Sequence, residues 1–236
     1  MRHKALVIAY GVHASGRREV IGLDVGEAET ESFWRAVLRG LRARGLDGVK
    51  LCISDAHQGL KNAIAQVLGC RWQRCTVHFL RDMLGHVSRA QQPLVSGAIR
   101  GVFTATSAAE ARERLGQVAD QLRAHAPKVA RLLADAEADL LAFYGFPAEH
   151  WPKLRSTNPL ERVNREIGRR SDVVGIFPND AALLRLAGML LLEQNDEWLV
   201  GRRYLSESSM ALVMAAGHPV SSATTGTKEV AQLTTS

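Results

Sequence analysis

A chain of 236 residues with 46% hydrophobic side chains has room for one large domain, or one domain carrying an insertion, and ample apolar content for a core. A formal net charge of +6 makes nucleic acid or another anionic surface the first partner to consider. Three cysteines (Cys52, Cys70 and Cys75) are too few for a disulfide framework and point to a reducing cytoplasm. The longest apolar run, 181–192, is interrupted by Arg185 and too short to span a bilayer, so no membrane partner is expected.

Taken in order, residues 5–10 form an apolar run of strand length, followed by a turn at Ala14-Ser15-Gly16 and a second strand over Arg18–Val25. Thr30 to Gly45 is predicted helical, with Phe33, Val37, Leu38 and Leu41 on one face and Gly45 as the stop. Val49–Ile53 reads as a buried strand ending at Ser54-Asp55, and His57–Leu68 as a helix with Leu60, Ile64 and Val67 inward. This order implies a mixed α/β sheet with helical cover. Trp72–Phe79 is a further strand candidate, leading into a helix from Leu80.

From Ser107 the pattern becomes purely helical, with an S-x-x-E box at Ser107 and Glu110 and a break at Pro127. The implied organisation is a first core segment over 1–90, a helical insertion over 91–150, and a return to the core over 151–205. The aperiodic Ser/Thr/Gly-rich stretch within 206–236 is expected to be a disordered tail.

Two carboxylates stand out. Asp55 lies where a strand ends, a usual place for functional groups in α/β sheets; an N-cap for the next helix is the competing reading. Glu161 lies three residues after Asn158, which reads as an N-cap followed by Pro159, so a capping box is the local reading of Glu161. Residues 151–170 carry six basic side chains (Lys153, Arg155, Arg162, Arg165, Arg169 and Arg170) against Glu161 and Glu166, a setting suited to a polyanion. Together, Asp55 and Glu161 are candidates to hold Mg²⁺, although two ions would need at least a third carboxylate. Cys75-x-x-His78 is half a zinc site at best; Cys70 or Cys52 would have to complete it, and a packed thiol beside a hydrogen-bonding imidazole explains it as well.

The segments S-D-A-H-Q-G-L (54–60), R-W-Q-R-C-T-V-H-F-L-R-D (71–82), S-T-N-P-L-E-R-V-N-R-E-I-G-R-R (156–170) and V-V-G-I-F-P-N-D (173–180), with G-R-R-E-V-I-G-L-D-V-G (16–26), resemble the Mutator-type transposases of bacterial insertion sequences. The resemblance implies an RNase H-like core with a helical insertion and an Asp-Asp-Glu triad that uses Mg²⁺ or Mn²⁺ to cut and join DNA. It makes Asp55 the second aspartate and Glu161 the glutamate, both metal ligands. Cys75 and His78 become the family's C-x-x-H signature near the active site, and Arg162, Arg165, Arg169 and Arg170 DNA contacts. Glu166 lies outside the N-P-L-E position.

The family's first aspartate lies on a strand before residues 5–10, and Asp24 is on a different predicted strand. The expectation is therefore a truncated chain that lacks this strand and the N-terminal DNA-binding region and is inactive alone. Its 5–10 strand would keep an unpaired apolar edge that invites aggregation. The alternative is a non-catalytic DNA-binding or multimerising remnant that pairs with full-length transposase.

Overall fold

The computed structural model describes residues 4–27, 29–216 and, as backbone, 230–235. The chain divides into two compact units, Met1–Trp72 with Thr157–Ser236, and Gln73–Ser156.

The first unit is built on a mixed sheet. β1 (Ala5–Val12) and β2 (Arg18–Gly26) form the expected hairpin, with a register shift at Ala9/Tyr10. The turn is closed by His13 N–H donating to the Arg17 carbonyl and Gly16 N–H to the His13 carbonyl. β3 (Leu51–Ser54), β4 (Arg71–Arg74) and β5 (Val230–Thr235) complete the order β2-β1-β5-β3-β4. β5 runs antiparallel to β1 and parallel to β3.

Two expectations are corrected here. β1 has a partner on both sides, so its edge is not open; and within the tail expected to be disordered, residues 207–215 form a helix and 230–235 a strand, while 217–229 and 236 lie outside the described residues. Strand pairing outside its own segment satisfies β5, and short-range periodicity carries no trace of such a partner.

β1 is buried on both faces, which is why its sequence is a continuous apolar run rather than an alternating one. On one side, α1 (Glu31–Ala43) packs Trp34, Val37, Leu38 and Leu41 with Val7, Ala9 and Cys52. Trp34 is wholly buried in the place the sequence reading had given to Phe33, which is only half-buried. α2 (Gln58–Ala63) adds Leu60 and Ala63, and a single π-helical turn over Ile64–Leu68 carries the chain to Gly69, whose φ of 62° ends it.

On the other side, α10 (Asp180–Val200) covers the hairpin: Asn195 Oδ1 accepts from the Val20 N–H at 3.0 Å, and Trp198 meets Tyr10 edge-on at 5.6 Å. The Arg18 guanidinium sits 4.3 Å from the Trp198 ring and 4.4 Å from that of Tyr204. α9 (Asn158–Val174) buries Leu160, Val163 and Ile167, three apolar residues that share one face at helical spacing. α11 (Glu207–Ala215) follows Leu205, whose N–H donates to the Gly16 carbonyl at 3.0 Å.

The second unit is helical: α3 (Thr76–Leu84), α4 (Gln92–Val102), α5 (Ala108–Arg123), α6 (Pro127–Asp135) and two short helices, α7 (Glu137–Leu140) and α8 (Trp151–Leu154). Ser107 caps α5 as predicted, accepting from Glu110 N–H, but the Glu110 carboxylate reaches Thr106 N–H, one residue outside the expected box. The strand expected over Trp72–Phe79 is cut short at Arg74, and the helix starts at Thr76 rather than Leu80. Gln73 explains the stop: fully buried, it donates to the Leu140 carbonyl and accepts from Phe143 N–H, anchoring the chain among helices.

Candidate functional site

Asp55 follows directly on β3, and its neighbour Ser54 is held by the Trp72 indole N–H at 2.8 Å. The N-cap reading of Asp55 is corrected. His57 caps α2, its Nδ1 accepting from Leu60 N–H at 3.1 Å, so the Asp55 carboxylate is not used as the cap.

The capping-box reading of Glu161 is corrected in the same way. Thr157, not Asn158, occupies the cap of α9, and its carbonyl accepts from the N–H groups of Leu160 and Glu161. Its side chain makes no capping bond and is left for other partners. The Thr157 hydroxyl lies 3.5 Å from Asp55 Oδ1 and 3.4 Å from Glu161 Oε1, although Thr157 and Asp55 are 102 residues apart in sequence. Thr157 is fully buried, while both carboxylates are half-buried.

A hydroxyl carries one proton, so it donates to one carboxylate at a time. Two acidic groups thus gather around one oxygen, an all-oxygen donor set suited to a hard divalent cation. Sequence reading passed over Thr157. The available signal was its position immediately before the Asn-Pro pair that opens α9.

Asp24 is exposed on edge strand β2, with its carboxylate accepting from the adjacent Val25 N–H; β1 and β5 stand between β2 and β3. Along α9, Arg162 and Arg165 are exposed. Arg169 and Arg170 instead engage Glu166, at 2.7 and 3.1 Å. Hydrogen bonding from Arg169 holds the Glu166 carboxyl below its ordinary value, assisted by the charges of both arginines. Glu166 is thereby an ion-pair partner on the surface of the helix.

In the first unit, burial pushes the Cys70 thiol up to about 12, and burial raises Cys52 as well, helped by the proximity of Cys70. In the second unit, Cys75 is fully buried and precedes α3, and its sulfur lies 3.3 Å from Nδ1 of His78 one turn on. The C-x-x-H spacing therefore brings these two side chains together. No described helix is long and apolar enough to cross a membrane.

These features define a basic, mixed α/β protein with two half-buried carboxylates beside one buried threonine hydroxyl. The sequence profile of the Mutator family of transposases matches residues 1–201, and the chain belongs to that family. It is 43% identical over 211 residues to the transposase of insertion element IS1081 from Mycobacterium tuberculosis (strain ATCC 25618 / H37Rv), covering 89% of this chain and 51% of that protein. It is 44% identical over 207 residues to the IS406 transposase of Burkholderia multivorans (86% of this chain, 53% of the relative). Identity is 36% over 211 residues to the transposase of IS256 in transposon Tn4001 from Staphylococcus aureus (86% and 53%). The chain spans about half the length of these curated relatives.

Proposed function

We propose that the first unit is the catalytic region of a DNA transposase, an RNase H-like core in which Asp55 and Glu161 hold Mg²⁺ or Mn²⁺ for cleavage and strand transfer. The observation that carries the reading is the convergence of Asp55 and Glu161 on the buried Thr157 hydroxyl. A mixed sheet with Asp55 beyond the end of β3 and helices on both faces supports the core assignment.

A bound divalent ion would supply Lewis-acid polarisation of a phosphodiester and a more acidic water or 3′-hydroxyl. The chain's own part is to place two hard oxygen ligands on rigid elements, one after a strand and one in the first turn of a helix. Thr157 keeps the two carboxylates at a common centre. Arg162 and Arg165 offer exposed guanidinium groups to DNA phosphates, and Arg169 and Arg170 do so at the cost of their bonds to Glu166. Cys75 and His78 stand as the family's C-x-x-H signature, with the thiol orienting the imidazole.

One observation favours a second reading, a DNA-binding remnant without turnover: among the described residues, Asp24 does not join the carboxylate pair, and two-metal chemistry needs a further acid. Mn²⁺ titration of the full chain, followed by water-proton relaxation, tests the site. Asp55→Asn and Glu161→Gln are expected to weaken binding at least about tenfold, the loss of roughly 1.4 kcal/mol of charge-assisted ligation. Binding equal to that of the parent in both variants refutes the metal site. DNA binding that persists in chelator, with no nicking in Mg²⁺ or Mn²⁺, selects the second reading.

A further inference from the structure

One face of α10 lies on the hairpin, where Ala187 and Leu191 are buried and Asn195 accepts from the Val20 N–H. The opposite face is apolar too, yet it looks outward: Met189 is 60% exposed, Leu192 59% and Leu199 46%. A helix that is apolar on all sides is ordinarily covered on all sides, and this one is covered on one.

The outward face is ordered along its length. Ala182, Arg185, Met189, Leu192, Asp196 and Leu199 follow one another at alternating steps of three and four residues, the spacing of a coiled-coil seam, over roughly 26 Å. Arg185 and Asp196 are exposed, and among the described residues neither has an ion-pair partner within the chain. Polar residues in such a seam fix its register and orientation at some loss of stability.

The order of the six residues selects the occupant. A two-fold axis passing between Leu190 and Leu191 sets every member of the seam against another member: Ala182 against Leu199, Arg185 against Asp196, and Met189 against Leu192. Small meets large, positive meets negative, and apolar meets apolar. These are the layers that two antiparallel helices form. A parallel pair would instead set Arg185 against Arg185 and Asp196 against Asp196, which repel. The seam is therefore complementary to itself, as a two-fold interface between identical chains requires.

We propose that the outward face of α10 is a self-association surface, on which the α10 of a second copy lies antiparallel. A second copy matches the charge order of this seam on every layer, by symmetry. One helix pair of this length buries less than a standard interface, so the dimer exchanges reversibly with monomer, with a dissociation constant between roughly 10 µM and 1 mM. Neither the metal site nor the DNA reading enters this inference, and either can fail without the other.

Sedimentation velocity of the full chain, from about 1 µM to about 1 mM, is expected to show the average mass rising from monomer toward dimer. Arg185→Asp puts two like-charge layers into the pair, and Asp196→Arg does the same. Each is expected to raise the dissociation constant at least about thirtyfold. Equimolar mixing of these two variants is expected to restore association, because opposite charges meet again in both layers of the mixed pair. The doubly exchanged chain, Arg185→Asp/Asp196→Arg, should pair with itself as the parent does, and it carries the test if either single variant folds poorly. A parent that stays monomeric at about 1 mM, a dimer indifferent to both reversals, or folded single variants that stay apart when mixed would each overturn the proposal.

Discussion

Gly16→Ala is expected to destabilise the first unit by about 3 kcal/mol, summed from three local effects. Gly16 has a φ of 78°, in the left-handed region, and a side chain there costs about 1–2 kcal/mol on backbone grounds. The contact makes it worse. A Cβ at this position would lie 1.9 Å from the carbonyl oxygen of Leu205 and 2.8 Å from its carbonyl carbon, backbone atoms that cannot rotate away.

The 205 segment must retreat, breaking the 3.0 Å bond from Leu205 N–H to the Gly16 carbonyl, worth about 1 kcal/mol. It also draws the buried Leu205 side chain part-way out, for about another 1 kcal/mol. For a domain of this size 1 kcal/mol shifts the melting temperature by about 2–4 °C, so the melt should fall by about 6–12 °C.

Gly40→Ala is the control. It lies within α1, is exposed, and its Cβ would meet nothing within 4 Å; the same substitution should there stabilise by about 0.5–1 kcal/mol. Circular-dichroism melts give the magnitudes, and amide exchange across Glu207–Ala215 reports the local loosening. A Gly16→Ala protein within about 1 kcal/mol of the parent, with unchanged exchange in α11, would refute the reasoning.

Two further outcomes are expected. Arg162→Ala and Arg165→Ala should each reduce the salt dependence of DNA binding by about 0.9 in log–log slope, while Arg169→Ala and Arg170→Ala, already bonded to Glu166, should change it less; equal slopes for all four would show that ion pairing does not set which arginines reach phosphate. The buried His150 is held below its ordinary value of 6.5 chiefly by burial, opposed by Glu149 and aided by Lys153. Its unfolded form binds a proton first as pH falls, so stability is intact above about 6.5 and declines below it until the folded-state imidazole also protonates. His150→Gln should flatten that decline in urea titrations at several pH values, and an unchanged slope would remove His150 from the acid response.

The helices α1, α5 and α9 were legible because each carries its own stripe: Val37, Leu38 and Leu41; Ala111, Leu115 and Val118; Leu160, Val163 and Ile167. The β1–β2 hairpin was legible from its apolar runs and intervening turn, and Asp55 and Glu161 were singled out as candidates by their motifs. Which cap each helix uses was not. Asp55 and His57 are both competent caps, and so are Thr157 and Asn158; His57 takes the cap of α2 while the Asp55 carboxylate lies against the Thr157 hydroxyl, a contact across the unit that neighbouring residues do not announce.

Sequence by itself determined the family, the basic face of α9 and the local amphipathic elements, since each depends on residues a few positions apart. Tertiary structure alone decided that the Thr157 hydroxyl lies against both carboxylates, that Leu205 closes over Gly16, and that 230–235 occupies the slot between β1 and β3. Each of these depends on groups widely separated along the chain, brought together by strand pairing and burial that short-range periodicity does not encode.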